Sequence, residues 1–275
     1  MGATSCLIFR ATRIGEGSGV LARGRVDPCE RRKDLTVPDA GTGERGDRTR
    51  GDRASTRAAI KRAGRHQLRT SGPAGVGMRA IARNVGIPPS SLYRFYADRA
   101  ALLNDLRVDA YKRLIDAIIA GRDAAGSSDP LTCWHAVATA FRRWALAFPD
   151  EFGLLYNAPG SGDEPWSPEV YEQRGRAGAV VAQLIADAVH AGQLTRPTEG
   201  TSVRQDQPPW TDRTSQHFDP VVIQVAMGAW AALVGHLSIE SRRTDLIVDP
   251  ELHFSEFLAA VTYGMGFDQP GPAER

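Results

Sequence analysis

The sequence predicts an all-α protein: a small helix-turn-helix unit followed by a larger helical body. Three observations carry this. Apolar residues recur at helical spacing from about residue 54 to 267, and no stretch shows the alternation of a half-buried strand. Proline heads successive apolar segments, at Pro130, Pro168, Pro220 and Pro250, where its missing N–H would be unsatisfied anyway. Finally, residues 77–103, GMRAIARNVGIPPSSLYRFYADRAALL, set two short helical segments on either side of a glycine.

Within that stretch Met78, Ile81, Ala82 and Val85 share one helical face. Gly86 follows where a helix needs a left-handed residue to stop. Pro88 and Pro89 suit the first turn of a second helix, which carries Leu92 and leads into Phe95 and Tyr96. Helix, glycine turn and proline-started helix make a helix-turn-helix. Asp98 then reads as the N-cap of a long amphipathic helix beginning at Arg99.

Composition narrows the class. A chain of 275 residues can bury a full core, and no apolar run is expected to reach the roughly 18 residues of a membrane span. Cys6, Cys29 and Cys133 form no even framework, which fits a reducing cytoplasm; Cys133 reads as a small core residue. The net charge is +2, but residues 1–115 hold 23 Lys and Arg against 11 Asp and Glu, whereas residues 116–275 hold 11 against 21. A basic first part carrying a helix-turn-helix fits a protein that places one end on a polyanion.

Residues 1–50 are rich in Arg, Gly, Asp and Thr, with one apolar patch at Leu7-Ile8-Phe9 that is too short for a secretory signal. They read as a disordered basic arm; a natural start nearer residues 40–55 is the rival expectation. Residues 51–115 form the helix-turn-helix domain. Its first helix is expected from Ala54 to about Arg69, with Ala58, Ile60, Ala63 and Leu68 buried. The apolar signal there is thin, and Gly64 weakens the helix by about 1 kcal/mol relative to Ala. The Asp98 helix should reach about Ala120 on a stripe of Leu102, Leu103, Leu106, Tyr111, Leu114, Ile115 and Ile118, with Gly121 to Asp129 as linker.

Residues 116–270 form the larger body. Helices are expected over Leu131–Phe148, Pro149–Tyr156, Pro168–Ala191, Pro220–Ser241 and Pro250–Phe267, with an exposed loop near 157–168 and a flexible insert at 195–219. The Pro220 helix is apolar over an arc too wide for one neighbour. Val221, Val225, Ala229, Leu233 and Leu237 line one side; Val222, Ala226, Trp230 and Val234 line the next. The expected second neighbour is the same helix in a homodimer, with Ala229 and Leu233 as positions whose substitution separates the subunits.

At Arg79-Ala80-Ile81-Ala82, Gly86-Ile87, Leu92-Tyr93, Phe95-Tyr96 and Asp98-Arg99 before Ala101-Leu102-Leu103, the chain resembles the DNA-binding domain of the tetracycline-repressor (TetR) family of bacterial regulators. The run 143–156 with Ala158-Pro159-Gly160, and Trp230, Gly235 and Glu240, resemble one subgroup of its regulatory domains. The resemblance implies a homodimeric transcriptional regulator, most often a repressor, released from a double-stranded DNA operator by a small apolar effector. Arg79 then matches a base- or phosphate-contacting position, and Ser90 and Ser91 the first turn of the recognition helix. Tyr93 matches a phosphate-contacting tyrosine and Arg99 a backbone clamp. Arg94 and Phe95 complete the DNA-facing set. Phe95 stands where many relatives carry a polar aromatic, and Pro88 where they carry a capping Ser or Thr.

The aromatic residues of the second part concentrate at Trp134, Phe141, Trp144, Phe152, Tyr156 and Trp230, the expected ligand-binding set; Phe148 and Trp166 lie nearby. His135, Arg142, Arg143 and Glu240 are candidates for its polarity, each more simply read as surface. No catalytic, metal or cofactor site is expected. His190, His217, His236 and His253 lack metal-pair spacing, and no G-x-S-x-G, P-loop or dinucleotide fingerprint occurs. The alternative left open is a helical small-molecule-binding protein or enzyme that no longer binds DNA.

Overall fold

The computed structural model describes residues 43–157, 165–194, 218–241, 245 and 247–267, with side chains from Asp52 onward and Asn157 as backbone only. The chain divides into a unit ending at Arg45 and a second beginning at Gly46. The arm expected over 1–50 lies outside the described residues up to position 42, as do 195–217 of the expected insert and 158–164 of the expected loop.

The helix-turn-helix unit begins with α1 (Gly43–Ser71), which starts eleven residues before the expected Ala54 and runs into the segment expected to be disordered. A 3-10 turn at Pro73–Gly75 leads to α2 (Met78–Val85) and α3 (Pro89–Tyr93). Gly86 ends α2 at φ 76°, the left-handed conformation that glycine adopts without steric cost. Pro88 caps α3 with no side-chain hydrogen bond. Asp98 accepts the Ala101 N–H at 2.8 Å and starts α4 (Arg99–Ala124), which continues through Gly121 into the expected linker.

The body adds α5 (Pro130–Ala147), capped by Asp129, and the short α6 (Pro149–Phe152), which passes directly into a π-helical turn, Gly153–Asn157. It is completed by α7 (Pro168–His190), α8 (Pro220–Glu240) and α9 (Pro250–Gly264). An isolated antiparallel bridge joins Leu194 to Phe267.

Two cores meet along α4. The first gathers Ile60, Leu68, Ile81, Leu92 and Tyr96 around Leu102, Leu103 and Leu106 of α4. The second gathers Trp134, Phe141, Val181, Ile185 and Leu233 around Tyr111, Leu114 and Ile118 of the same helix. The expected boundary at 115/116 therefore falls inside an unbroken helix, with no break in the compact unit there.

The thin apolar face of α1 is explained by what replaces it. Ile60 and Leu68 are buried but Ala58 is exposed. Gly64 lets α1 approach α4 closely, since a Cβ there would sit 3.2 Å from Leu106 Cδ1. Flanking this contact, Lys61 reaches Asp109 at 2.7 Å and Asp105 at 3.4 Å, and Arg57 reaches Asp105 at 2.8 Å. The Tyr96 hydroxyl donates to Asp105 at 2.6 Å. Burial alone would raise the Asp105 carboxyl, but Tyr96, Arg57 and Lys61 together hold it below its ordinary range.

Two expectations about α8 are corrected. Although Gln224 and His236 interrupt it, α8 has a mean hydropathy of 1.6 over 18 residues, so by length and composition alone it is apolar enough to cross a membrane. Ala229 and Leu233 are 2% and 0% exposed, packed into their own subunit, and cannot be the positions that separate two copies.

Candidate nucleic-acid interface and effector cavity

The α2–α3 pair presents an exposed, basic surface. Leu92, fully buried, anchors α3, and this turns Ser90, Tyr93 and Arg94 outward, with Tyr93 49% exposed. Arg79 and Arg83 of α2 are also exposed. Among the described residues Arg79, Arg83 and Arg94 pair with no carboxylate, whereas the cations of α1 facing α4 do. Arg83 was missed in the sequence; its place in the last turn of α2, away from the Ile81 face, is the signal that marks it.

Three members of the expected DNA-facing set are placed differently. Ser91 is half-buried. Phe95 is half-buried against the first core, with the Arg53 guanidinium 5.6 Å from its ring centroid. Arg99 turns inward: its Nε donates to the Val76 carbonyl at 3.0 Å and its Nη2 to the Pro73 carbonyl. It ties the 3-10 turn to the start of α4, so it positions the reading unit, and these bonds compete with the expected phosphate clamp. The Gln67 side chain helps, accepting the Gly77 N–H at 2.8 Å.

In the body, a cavity of about 320 Å³ lies against α4, the π-helical turn, α7 and α8. Tyr111, Leu155, Tyr156, Trp166, Arg174, Met227, Trp230, Ala231 and Val234 line it. Of the expected ligand set only Tyr156 and Trp230 are present. Phe141 lies beneath Trp230, stacked at 4.8 Å. Trp134 is fully buried and donates to Thr262 Oγ1 at 3.0 Å. Trp144 and Phe152 pack around Phe141 in the core. Four of the six aromatics thus lie in the core and not on the cavity surface. Trp166, named beside that set, does line the cavity; Tyr111 and Arg174 were missed because they come from other helices, and Met227 because it is not aromatic, although it lies three residues before Trp230 on α8. The Tyr111 and Tyr156 hydroxyls are buried and face each other, and among the described residues neither makes a hydrogen bond of normal geometry. Burial pushes the Tyr111 phenol up to about 12 and the Tyr156 phenol well above its ordinary value.

The same short turn touches both cores. Leu154 is buried in the first, with the helix-turn-helix side chains, while its neighbours Leu155 and Tyr156 line the cavity. Arg113 of α4 grips Glu151, just before the turn, with Nε to Oε2 at 2.8 Å. Farther along, Arg142 of α5 and Glu240 at the end of α8 form a buried pair, 5% and 3% exposed, joined at 2.7 Å, and Arg142 also reaches Glu251 at 2.7 Å. Neither residue is the surface charge expected. Among the described residues no group of three or more His, Cys, Asp or Glu could hold a metal ion.

An exposed helix-turn-helix fused by one long helix to a helical body with its own cavity defines a DNA-binding regulator. Residues 60–106 match the model of bacterial regulatory proteins of the tetR family, and residues 134–261 match the tetracyclin repressor-like C-terminal domain. The chain is 33% identical over 214 residues to the HTH-type transcriptional regulators Rv1816 of Mycobacterium tuberculosis and Mb1846 of Mycobacterium bovis, covering 74% of this chain and 88% of each of theirs. The fold is shared with a bacterial regulatory protein in the tetR family from Rhodococcus RHA1, at a TM-score of 0.56 and 16% identity over 78% of this chain and 98% of that one. It is also shared with RolR, solved in complex with the ligand resorcinol, at a TM-score of 0.51 and 15% identity over 79% and 91%. The chain belongs to the TetR family of transcriptional regulators. The relatives are regulators rather than enzymes.

Proposed function

We propose that the protein is a cytoplasmic, homodimeric repressor that leaves its DNA operator when a small effector fills the cavity. The observation that carries this is the π-helical turn, where consecutive residues belong to the DNA-side core and to the cavity wall. Single π-helical turns often occur at functional sites. A ligand that moves Tyr156 or Leu155 moves Leu154, and with it the packing under α4 that aims α2 and α3.

For DNA, Ser90, Tyr93 and Arg94 of α3 enter the major groove, with Arg79 and Arg83 beside it on phosphate or base edges. Ser91 and Phe95 support α3, and Arg99 holds the unit's orientation. For dimerisation, the outer face of α8 is the partner surface. Gln224, Gly228, Gly235 and Ile239 are exposed there, as are Ala260, Tyr263 and Gly264 on α9. Small residues allow close helix approach, and a Cβ at Gly228 meets no atom of the described residues within 4 Å. A two-fold pair would set two recognition helices about 34–36 Å apart, one turn of DNA.

The test is fluorescence anisotropy with the DNA flanking the protein's own gene. Arg94→Ala should weaken binding and reduce the logarithmic salt slope by about 1. Gly228→Arg should give monomers by light scattering that bind far more weakly. Unchanged affinity and salt slope in Arg94→Ala would remove α3 from the DNA interface.

A further inference from the structure

The cavity has two kinds of wall. Leu155, Met227, Trp230, Ala231 and Val234 make one side apolar. Arg174 of α7 supplies a cation to the other. Its guanidinium lies 5.6 Å from the Trp166 ring centroid, and among the described residues it pairs with no carboxylate. Near it are the Tyr111 and Tyr156 hydroxyls, both within reach of the Arg174 charge; they face each other, and Tyr156 faces Trp230, but among the described residues neither closes a hydrogen bond of normal geometry.

Buried hydroxyls lacking partners are costly and ordinarily find one. Both phenols are protonated at neutral pH, as ordinary tyrosines are, so each can donate. The site therefore offers a guanidinium fork and two O–H donors, and among the described residues that line it there is no carboxylate to serve as acceptor. What completes it is an acceptor with negative charge, carried by an apolar body that fits beside Trp230.

We propose that the effector is a small organic acid, its carboxylate received by Arg174 with the Tyr111 and Tyr156 hydroxyls and its apolar body held between Trp166 and Trp230. This rests on the cavity being the effector site, and it replaces a purely apolar effector with an amphiphilic one. A single arginine fork matches the two oxygens of a monoanion. An anion brought into so apolar a cavity must be paired and hydrogen-bonded to bind at all, which is the service these three groups perform. A neutral apolar molecule would leave both hydroxyls without a hydrogen bond of normal geometry.

The test uses tryptophan fluorescence of the intact protein, since Trp166 and Trp230 line the cavity, titrated with matched acids and amides. The pairs are benzoate and benzamide, 2-naphthoate and 2-naphthamide, octanoate and octanamide. At least one acid should bind about tenfold or more tightly than its amide. Arg174→Gln should bring that pair to within about threefold by weakening the acid and sparing the amide. Tyr111→Phe and Tyr156→Phe should each cost the acid more than the amide. Amides that bind as tightly as their acids throughout would overturn the acid headgroup while leaving the cavity as the effector site. The absence of any binding at millimolar concentration would overturn the acid too. Acid binding unchanged by Ala231→Trp, which fills the cavity, would overturn the cavity itself.

Discussion

The two halves of α4 sit in cores of opposite construction. On the DNA side, α1 is fastened to α4 by few apolar residues and a lattice of ion pairs, Arg57, Lys61 and Arg65 against Asp105 and Asp109, whose side chains are about 20–50% exposed on the basic side. In the body, aromatic side chains fill the centre, and the dominant charge contact, Arg142 with Glu240, is itself buried, with Arg142 reaching on to the exposed Glu251. The first kind of contact rearranges at little cost, and the second does not. The proposed mechanism uses both: a reading head that can be re-aimed and a body that keeps its shape while a ligand enters.

The largest expected effect separates these two kinds of ion pair. Arg142→Ala strands Glu240 in the core and should destabilise the protein by about 3–5 kcal/mol in a denaturant titration. Lys61→Ala, in the lattice, should cost no more than about 1 kcal/mol. Equal losses would erase the distinction between the two cores.

A second contrast lies in the glycines of the long helices. Gly64 is in the looser contact, while at Gly121 a Cβ would lie 2.4 Å from Ala140 Cβ and 3.2 Å from the Ala136 carbonyl, so α4 and α5 touch backbone to backbone. Gly121→Ala gains about 1 kcal/mol of helix propensity but overpacks a rigid contact, at about 1–3 kcal/mol. The net change in melting experiments should be destabilising. A stabilised variant would mean that α5 gives way more readily than the buried pair implies.

What the sequence made legible was local. Gly86, Pro88, Pro89 and Asp98 act on their own backbones, and α2, α3 and the start of α4 fall where they were expected. The lattice was not read, although its signal was present: basic residues at 57, 61 and 65 and acids at 105 and 109 share a four-residue spacing on two helices. Nothing in either helix alone says that they face one another. The same holds for Arg142 and Glu240, 98 positions apart. For the cavity, aromatic density located the right region but not the surface. Phe141 and Trp134 are indistinguishable in sequence from Trp230, while Tyr111 was absorbed into an apolar stripe. The outward face of α8 was misjudged because both of its faces are apolar, so periodicity could not say which one the body covers.

A smaller effect comes from His236, on α8 in the rigid body. Its ring stacks on Phe257 at 4.1 Å and faces His253, with Glu240 Oε2 3.5 Å from Nε2 and Arg142 nearby. Burial lowers its pKa, with His253 and Arg142 acting in the same sense and Glu240 opposing them. With the folded value below the unfolded value of about 6.5, the unfolded state takes up protons first as pH falls. Stability should therefore decline as pH falls through about 6.5, with His135, whose pKa burial also lowers, contributing in the same sense. His236→Gln should flatten that decline, and an unaltered pH profile would show that the His236 ring is not held neutral.

The central claim is that the cavity and the DNA surface communicate through the turn at Gly153–Asn157, and a double-mutant cycle on operator affinity tests it most directly. Ala231→Phe should mimic a bound effector and weaken DNA binding, and Leu154→Val should loosen the link to the first core. The claim predicts that the two changes interact, with Leu154→Val removing at least about 1 kcal/mol of the Ala231→Phe penalty. Independent sites add to within about 0.5 kcal/mol. Additivity within that margin, in variants shown by melting to be folded, would contradict the account.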